Sequence, residues 1–447
     1  MKMPPSTAET ARRHHQPARA WRLGETFAQP PEDDAGDRTR ALATALLEDA
    51  RRENASDIHL DPVTEGYAVR FRIDGALVDT LLLPLEPGLH LLRYFKTHAD
   101  LDPAFALRPQ DGRAALPVAD GEVSVRVATG PGVCGEKLAL RLLPHALTRP
   151  PLDQLGLSAP DYEVLTRALH DVRGMILISG PTGSGKTTTL YALVRELERA
   201  GRAIMSIEDP VETVFDGVTQ LQVNAHQGLT HAEGVKGLLR LDPDVLVLGE
   251  MRDAASARAA LDAADSGHIF LSTLHARDAA GTLSVLRHLG LADHEIAASV
   301  DLLVAQRLVR RLCSACRRPE PPTADEAQWL RLCGQPVPDK TWRAAGCARC
   351  GGSGYRGRIG IFEIHRQREE DADLILAHAD EHTLRRQLRG RGALSLLEDD
   401  LQKVAEGITS IAEFQSVGGM GFFARDPAGQ DRPSLGQALR SGGTPGR

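Results

Sequence analysis

From Tyr67 to Asp74 apolar and charged side chains alternate: Tyr67, Val69, Phe71 and Ile73 fall on one face of an extended chain, and Arg70, Arg72 and Asp74 on the other. The period of two returns in EVSVRVA, where Val123, Val125 and Val127 oppose Arg126, and in EKLALRLL, where Leu138, Leu140 and Leu142 oppose Arg141. Such alternation marks strands buried on one side, so residues 37–145 are expected to form a sheet domain with an arginine-bearing face. The three prolines of PHALTRPPLDQLGL interrupt regular structure, and residues 146–170 are read as a linker. Beyond it the pattern changes. Short apolar runs, MILIS, AIMSIED, DVLVLGE and HIFLSTLH, alternate with helical stretches after Gly185 and from about Asp253, as in a parallel sheet sandwiched by helices. Residues 171–310 carry this α/β core, and residues 366–425 are read as a helical carboxyl-terminal region. Residues 1–36 and 426–447 lack hydrophobic periodicity and are expected to be disordered tails.

A chain of 447 residues suits two or three domains, and 42% hydrophobic with 25% charged residues is an ordinary globular composition. No run approaches the ~18 apolar residues that span a bilayer, and MKMPPSTAETARRHHQPARAW has no apolar core for a signal peptide. The expectation is a cytoplasmic chain without membrane insertion. A net charge of −7 argues against generic nucleic-acid binding, and the basic cluster RRQLRGR, Arg385 to Arg391, is read as solvated helix surface.

One stretch carries specific chemistry. Gly180, Pro181, Thr182, Gly183, Ser184, Gly185, Lys186 and Thr187 fit G-x-x-x-x-G-K-[ST], after a buried strand and before a helix that continues with Thr188. Glycines let backbone N–H groups close around phosphates, and a helix N-terminus favours their negative charge. Lys186 is assigned to the β- and γ-phosphates of ATP and the Thr187 hydroxyl to Mg²⁺. Nothing in the loop says what hydrolysis would drive.

Two later strands end in carboxylates, IMSIEDPVE with Glu208, Asp209 and Glu212, and DVLVLGEMRD with Glu250. In a parallel sheet these ends share an edge with the phosphate loop, where a carboxylate can orient or deprotonate the attacking water. Asp209, before Pro210, reads instead as a loop acid. His268 and His275 bracket GHIFLSTLH; His275 either senses the γ-phosphate or belongs to packing and surface. Cys313-x-x-Cys316 and Cys347-x-x-Cys350 have the spacing of two knuckles that supply four thiolates to Zn²⁺, a structural site because no coordination position stays open. Cys134 and Cys333 lack paired spacing and are read as small core residues or free thiols.

In order along the chain, SDIHLDP, RPQDGR, GPTGSGKTTTLYA, IEDPVE, DPDVLVLGEMRD, GHIFLSTLH, AQRLVRRLC and GYRGRIGIFEI resemble the secretion ATPase family, in its type II secretion (GspE) and type IV pilus assembly (PilB) branch, from about residue 40 to 420. The resemblance implies a RecA-like P-loop ATPase domain preceded by a smaller α+β sheet domain, with a zinc-binding insertion at 311–365. It implies a cytoplasmic homo-hexamer, peripheral to the inner membrane, that hydrolyses ATP to drive pseudopilus or pilus assembly through membrane platform proteins. Lys186 and Thr187 match the Walker A pair, Glu250 the Walker B glutamate, Glu212 the catalytic glutamate of the Asp box, and His268 and His275 the His box. Arg126 and Arg141 match arginines that reach the nucleotide from the amino-terminal domain, and the paired cysteines match a module of export ATPases that retraction ATPases lack.

The chain departs from the family pattern in places. Cys134 stands where His is common, Leu241 where Gln is and Ala276 where Thr is, none of them a group that bonds phosphate or metal. About 36 residues precede the sheet domain where most export members have a further domain, so the docking partner is not carried over. The competing readings are a retraction or DNA-uptake ATPase, and a nucleotide-gated scaffold without turnover. The cysteine module opposes retraction, the acidic balance opposes DNA, and the presence of both Glu212 and Glu250 opposes a dead switch.

Overall fold

The computed structural model describes residues 21–28, 35–143, 150–171, 174–390 and 394–418. It divides into two units, Met1–Thr148 and Arg149–Arg447. In the first, helices α1 (Arg22–Ala28) and α2 (Ala35–Arg52) precede β1 (Ala55–Val63), β2 (Gly66–Ile73), β3 (Ala76–Leu83), α3 (Leu85–His98), β4 (Gln110–Val118), β5 (Gly121–Gly132) and β6 (Gly135–Leu142). The strands make one antiparallel sheet in the order β3-β2-β1-β6-β5-β4. Its apolar alternates, Val69 and Phe71, Val125 and Val127, Leu138 and Leu140, pack in one core with Leu46 of α2 and Phe95 of α3. Lys96 of α3 is fully buried, and its ammonium donates to Glu136 at 2.7 and 3.0 Å and to the Phe105 carbonyl at 2.8 Å, which satisfies all three of its protons.

The first unit corrects one expectation. Residues 22–28 were read as part of a disordered tail but form α1, with Leu23 fully buried and Trp21 edge-on to Phe71 at 5.1 Å. Three apolar anchors, Trp21, Leu23 and Phe27, suffice to dock a helix of seven residues on the core. Residues 1–20, 29–34 and 419–447, which include the expected carboxyl-terminal tail, lie outside the described residues.

The second unit runs α4 (Ala159–Asp171), β7 (Gly174–Ser179), α5 (Lys186–Arg199), β8 (Ile204–Glu208), β9 (Val218–Gln222), α6 (His231–Leu238), β10 (Val245–Leu248), α7 (Ala254–Asp265), β11 (Ile269–Leu274), α8 (Ala279–His288), α9 (Asp293–Ser299) and β12 (Val300–Leu312). It continues with β13 (Arg318–Glu320), α10 (Ala324–Leu332), β14 (Thr341–Arg343), β15 (Tyr355–Arg366), α11 (Glu369–Leu376), α12 (Glu381–Gly390), α13 (Leu396–Ala405) and α14 (Ile411–Gly418). The main sheet has the order β15-β12-β7-β11-β10-β8-β9, parallel except for β15. Met175 and Leu177 of β7 face one core, which includes residues of α6 to α9, and Ile176 and Ile178 face the other, with residues of α4 and α5. Burial on both sides explains why these strands read as unbroken apolar runs. The result is the expected α/β fold with an α+β sheet unit before it.

Two boundaries move. Most of the expected linker, 146–170, belongs to the second unit: Leu152, Leu155, Leu165, Ala168 and Leu169 pack into its core. Proline density misled because Pro150 and Pro151 stand before α4 and not inside it. The expected zinc insertion, 311–365, contains all but the last residue of β15, which returns to pair with β12 over Leu302–Leu312. The inserted piece is therefore the excursion between these two strands.

Candidate nucleotide site and cysteine cluster

β7 is completely buried and ends at Ser179, so the chain emerges at Gly180 on the carboxyl-terminal edge of the parallel strands. A side chain is excluded at Gly180, where a Cβ would lie 2.5 Å from the Gln306 carbonyl, and at Gly185, where φ is +89° and a Cβ would lie 2.9 Å from Gln306 Nε2. Glycine here lets the loop curl tightly in front of α5, so that Lys186 reaches back to the carbonyls at its start. α5 starts at the residue after Gly185, so its amide dipole points into the loop. Ser184 is buried, and its hydroxyl has no hydrogen-bond partner among the described residues. A buried hydroxyl left without a partner in a glycine-rich loop fits a phosphate ligand. Thr187 and Thr188 follow, half-buried at the start of α5.

Lys186, 9% exposed, donates to the carbonyls of Gly180 at 2.8 Å and Pro181 at 3.3 Å. Burial lowers its pKa, with Glu250 opposing and Arg307 adding to the shift. Its Nζ lies 3.5 Å from His275 Nδ1, and the other ring nitrogen, Nε2, lies 2.5 Å from Glu250 Oε1. The second oxygen of Glu250 accepts from Arg252 Nε at 2.6 Å. Burial pushes the Glu250 carboxyl up, but Arg252, His275 and Lys186 together hold it below the ordinary carboxylate range. A lysine, an imidazole and an ionised carboxylate thus converge where strands β7, β11 and β10 end side by side.

Other expected residues fall elsewhere. Glu208 was grouped with the strand-end acids, but its side chain turns inward, accepting from Tyr191, from Ser206 at 2.8 Å and from Gln220 at 3.0 Å. It joins β8 to α5 and β9 in the core. His268 lies before β11, at the opposite edge of the sheet, with Nδ1 3.1 Å from the Ala263 carbonyl. Six residues of strand span ~20 Å, which places it out of reach of the loop. Glu212 is exposed in the loop after β8, and β8 is separated from β7 by β10 and β11.

Sequence reasoning missed Gln306 and Arg307. Gln306, 2% exposed on β12, accepts from the Thr189 hydroxyl at 2.7 Å and buttresses the loop from behind. Arg307 donates to the carbonyl of Arg277 at 2.7 Å. The available signal was a polar pair inside the apolar run of LLVAQRLV.

The four paired cysteines come together, all sulfurs lying within 4.8 Å of one another. Cys313 and Cys347 are 3.8 Å apart, Cys316 and Cys350 3.9 Å, and Cys347 and Cys350 3.8 Å. A tetrahedron with ~2.3 Å metal–sulfur bonds has edges of ~3.8 Å, so the cluster can hold a metal ion. Burial pushes the Cys350 thiol up, but amide donors from Cys347 and Gly354, each 3.2 Å from its sulfur, pull it down to about 7. Cys333 packs partly into the neighbouring core, and Cys134 is exposed at the β5–β6 turn.

In the first unit, Arg126 and Arg141 are directly opposite each other on β5 and β6, on the face away from the core. Arg126 makes a two-pronged pair with Asp111 at 2.8 Å on each prong, and Arg141 Nε lies 3.0 Å from Asp57. The same face carries Arg113, opposite Arg126.

Residues 32–416 match the family model described as Type II/IV secretion system protein. The chain is 42% identical over 387 residues to the type II secretion system protein E of Pseudomonas aeruginosa, covering 86% of this chain and 76% of that one. It is 40% identical to the type II secretion system ATPase E of Vibrio cholerae over the same shares of both chains. Among solved structures, the ATPase DotB of Legionella pneumophila has a TM-score of 0.62 at 23% identity, covering 83% of this chain and 94% of DotB, a likeness of fold. Matches of this extent answer what the phosphate loop left open: the chain belongs to the type II/IV secretion system protein family, and it is an ATP-hydrolysing motor of secretion or pilus assembly.

Proposed function

We propose that ATP is bound by Gly180 to Thr188 and split beside Glu250 and His275, and that turnover drives pseudopilus or pilus assembly. The observation that carries this reading is the contact chain Lys186–His275–Glu250 at the loop mouth, where Lys186 reaches the ring at 3.5 Å and Glu250 at 2.5 Å. The loop amides and the Lys186 ammonium hold phosphate charge. The Thr187 hydroxyl and the Glu250 carboxylate are the ligands at hand for Mg²⁺, which neutralises phosphate charge when bound. Glu212 stands apart from this group in the loop after β8, and its match to the family's catalytic glutamate supports the role of orienting the attacking water and taking its proton once nucleotide is bound. His275, between the cation and the carboxylate, responds to charge gained or lost at the γ-phosphate. Arg126 and Arg141 supply guanidinium groups to that phosphate when the first unit closes on the site, which ties chemistry to domain motion.

Zn²⁺ is the ion that four thiolates at these spacings suit, and it holds the excursion between β12 and β15 together. The working particle is a homo-hexamer at the cytoplasmic side of the inner membrane, acting on platform proteins and not on nucleic acid. No helix among the described residues is long and apolar enough to cross a membrane.

The test is ATP turnover by Lys186→Ala and Glu250→Gln. Each should lose at least 10²-fold, roughly the value of a preorganised charge at a reacting centre, with thermal unfolding little changed. Most of the wild-type rate surviving in Lys186→Ala refutes the assignment.

A further inference from the structure

The segment from His275 to Asp278 is held at three points. His275 meets Glu250, the Arg277 carbonyl accepts from Arg307 at 2.7 Å, and the Asp278 carboxylate is shared between two tasks. Its Oδ1 accepts from the Gly281 amide at 2.8 Å and caps α8. Its Oδ2 accepts from Arg385 Nε at 2.8 Å and lies 2.7 Å from Arg385 Nη2. Arg385 belongs to the cluster expected to be solvated helix surface. Instead its side chain is 31% exposed, also pairs with Glu381, and meets an Asp278 side chain that is 8% exposed. α12 is anchored beside this pair, because Leu384 and Leu388 share a core with Ala279, Ala280 and Leu283 of α8.

We infer that Arg385 is a positioning residue for hydrolysis, fixing through Asp278 where His275 stands between Lys186 and Glu250. This rests on the site reading above. A largely buried, charge-assisted pair has one preferred geometry, and three residues of backbone leave little slack between Asp278 and the imidazole. Coupling is reciprocal: whatever moves His275 when phosphate charge changes is also felt by α12, which gives the carboxyl-terminal helices a mechanical link to the nucleotide. The link needs no direct contact between Arg385 and ATP.

The experiment is steady-state ATP turnover by the full chain carrying Arg385→Ala, Asp278→Asn, both changes, or Arg385→Lys. Asp278→Asn keeps an oxygen for the α8 cap and removes the charge that Arg385 pairs with. Each of the two disrupting changes should lower kcat about tenfold with KM for ATP within about twofold, since small displacements of a reacting group cost rate and not ground-state binding. The double change should be no slower than either single one, because both break one link. Arg385→Lys should recover most of the rate, and thermal unfolding should show all variants folded. Unchanged kcat in Arg385→Ala, losses that multiply in the double variant, or Lys no better than Ala overturns the inference. Lys186→Ala in the same assay separates the two readings: activity there removes the site itself, whereas its loss beside an undisturbed Arg385→Ala removes only the positioning role.

Discussion

Asp400 shows what a single buried carboxyl does to this protein. It is fully buried on α13, and neither carboxyl oxygen has a hydrogen-bond partner among the described residues. Burial first, then the charges of Asp399 and Glu413, push its pKa well above the ordinary value, and Lys403 only partly opposes them. The folded chain therefore holds this proton more tightly than the unfolded chain. Below pH ~4 both states are protonated and nothing changes; above it the unfolded state ionises alone, and stability falls by about 1.4 kcal/mol per pH unit until the folded group also titrates. Asp400→Asn should therefore stabilise the second unit by an amount that grows from pH 4.5 to pH 8. A stability difference from wild type that is the same at both pH values contradicts this. At this scale the tight turn before α5 was legible, because three glycines and a lysine at fixed intervals have few uses besides the phosphate grip proposed for them. The inward turn of Glu208 was not legible, because sequence marks a strand end without saying which way the side chain turns, and His268, included through the family resemblance, opens the strand that His275 follows. Asp400 left no signal, since an acid on a helix is ordinary until packing closes over it.

Elements were legible where period decided them and illegible where partners did. Alternation identified β2, β5 and β6, and apolar runs identified β7, β8, β10 and β11. β15 was absorbed into the cysteine module because GYRGRIGIFEI is a strand only by virtue of β12 beside it. The excursion between these strands is pinned at its base by the Cys313 amide, which donates to the Gly354 carbonyl at 2.9 Å. Within it, β13 and β14 form a two-stranded ribbon, a structure of marginal stability alone. α10 is tied to β14 by Arg343 and Glu326, and Trp329 and Leu330 lean on a core built largely by β15, α13 and α14. The cysteine cluster therefore carries much of the order of residues 313–354. Protein purified without chelator should contain about one zinc per chain, as a four-thiolate site binds one ion, and metal analysis near zero counts against the site. Removing metal should raise amide hydrogen exchange across 313–354 far more than in Gly180 to Thr188. Equal exchange in both regions contradicts a structural role confined to the module.

At the scale of the whole molecule, two units share one chain, and most of the proposed nucleotide site belongs to the second. Composition and pattern separated them, because a period of two and a run of buried strands build different sheets. What the molecule drives was not legible in any single element and came from many motifs in order. The proposed part of the first unit rests on Arg126 and Arg141, paired across β5 and β6 on the face turned from the core. Each is already held by a carboxylate, Asp111 or Asp57, so a nucleotide phosphate must compete with an existing ion pair. The Arg126–Asp111 pair is exposed on both sides and is worth only about 0–1 kcal/mol, a small obstacle to exchange, whereas Arg141 must leave a buried Asp57. An arginine brought to the γ-phosphate from outside contributes ~10³-fold or more in related phosphoryl-transfer sites. The measurement that tests the proposed mechanism most directly is ATP turnover by Arg126→Ala with Arg141→Ala, beside nucleotide binding by the same protein. Binding retained with turnover reduced by at least ~10²-fold, and wild-type specific activity that rises with protein concentration, is the predicted result. Undiminished turnover in the double variant contradicts it.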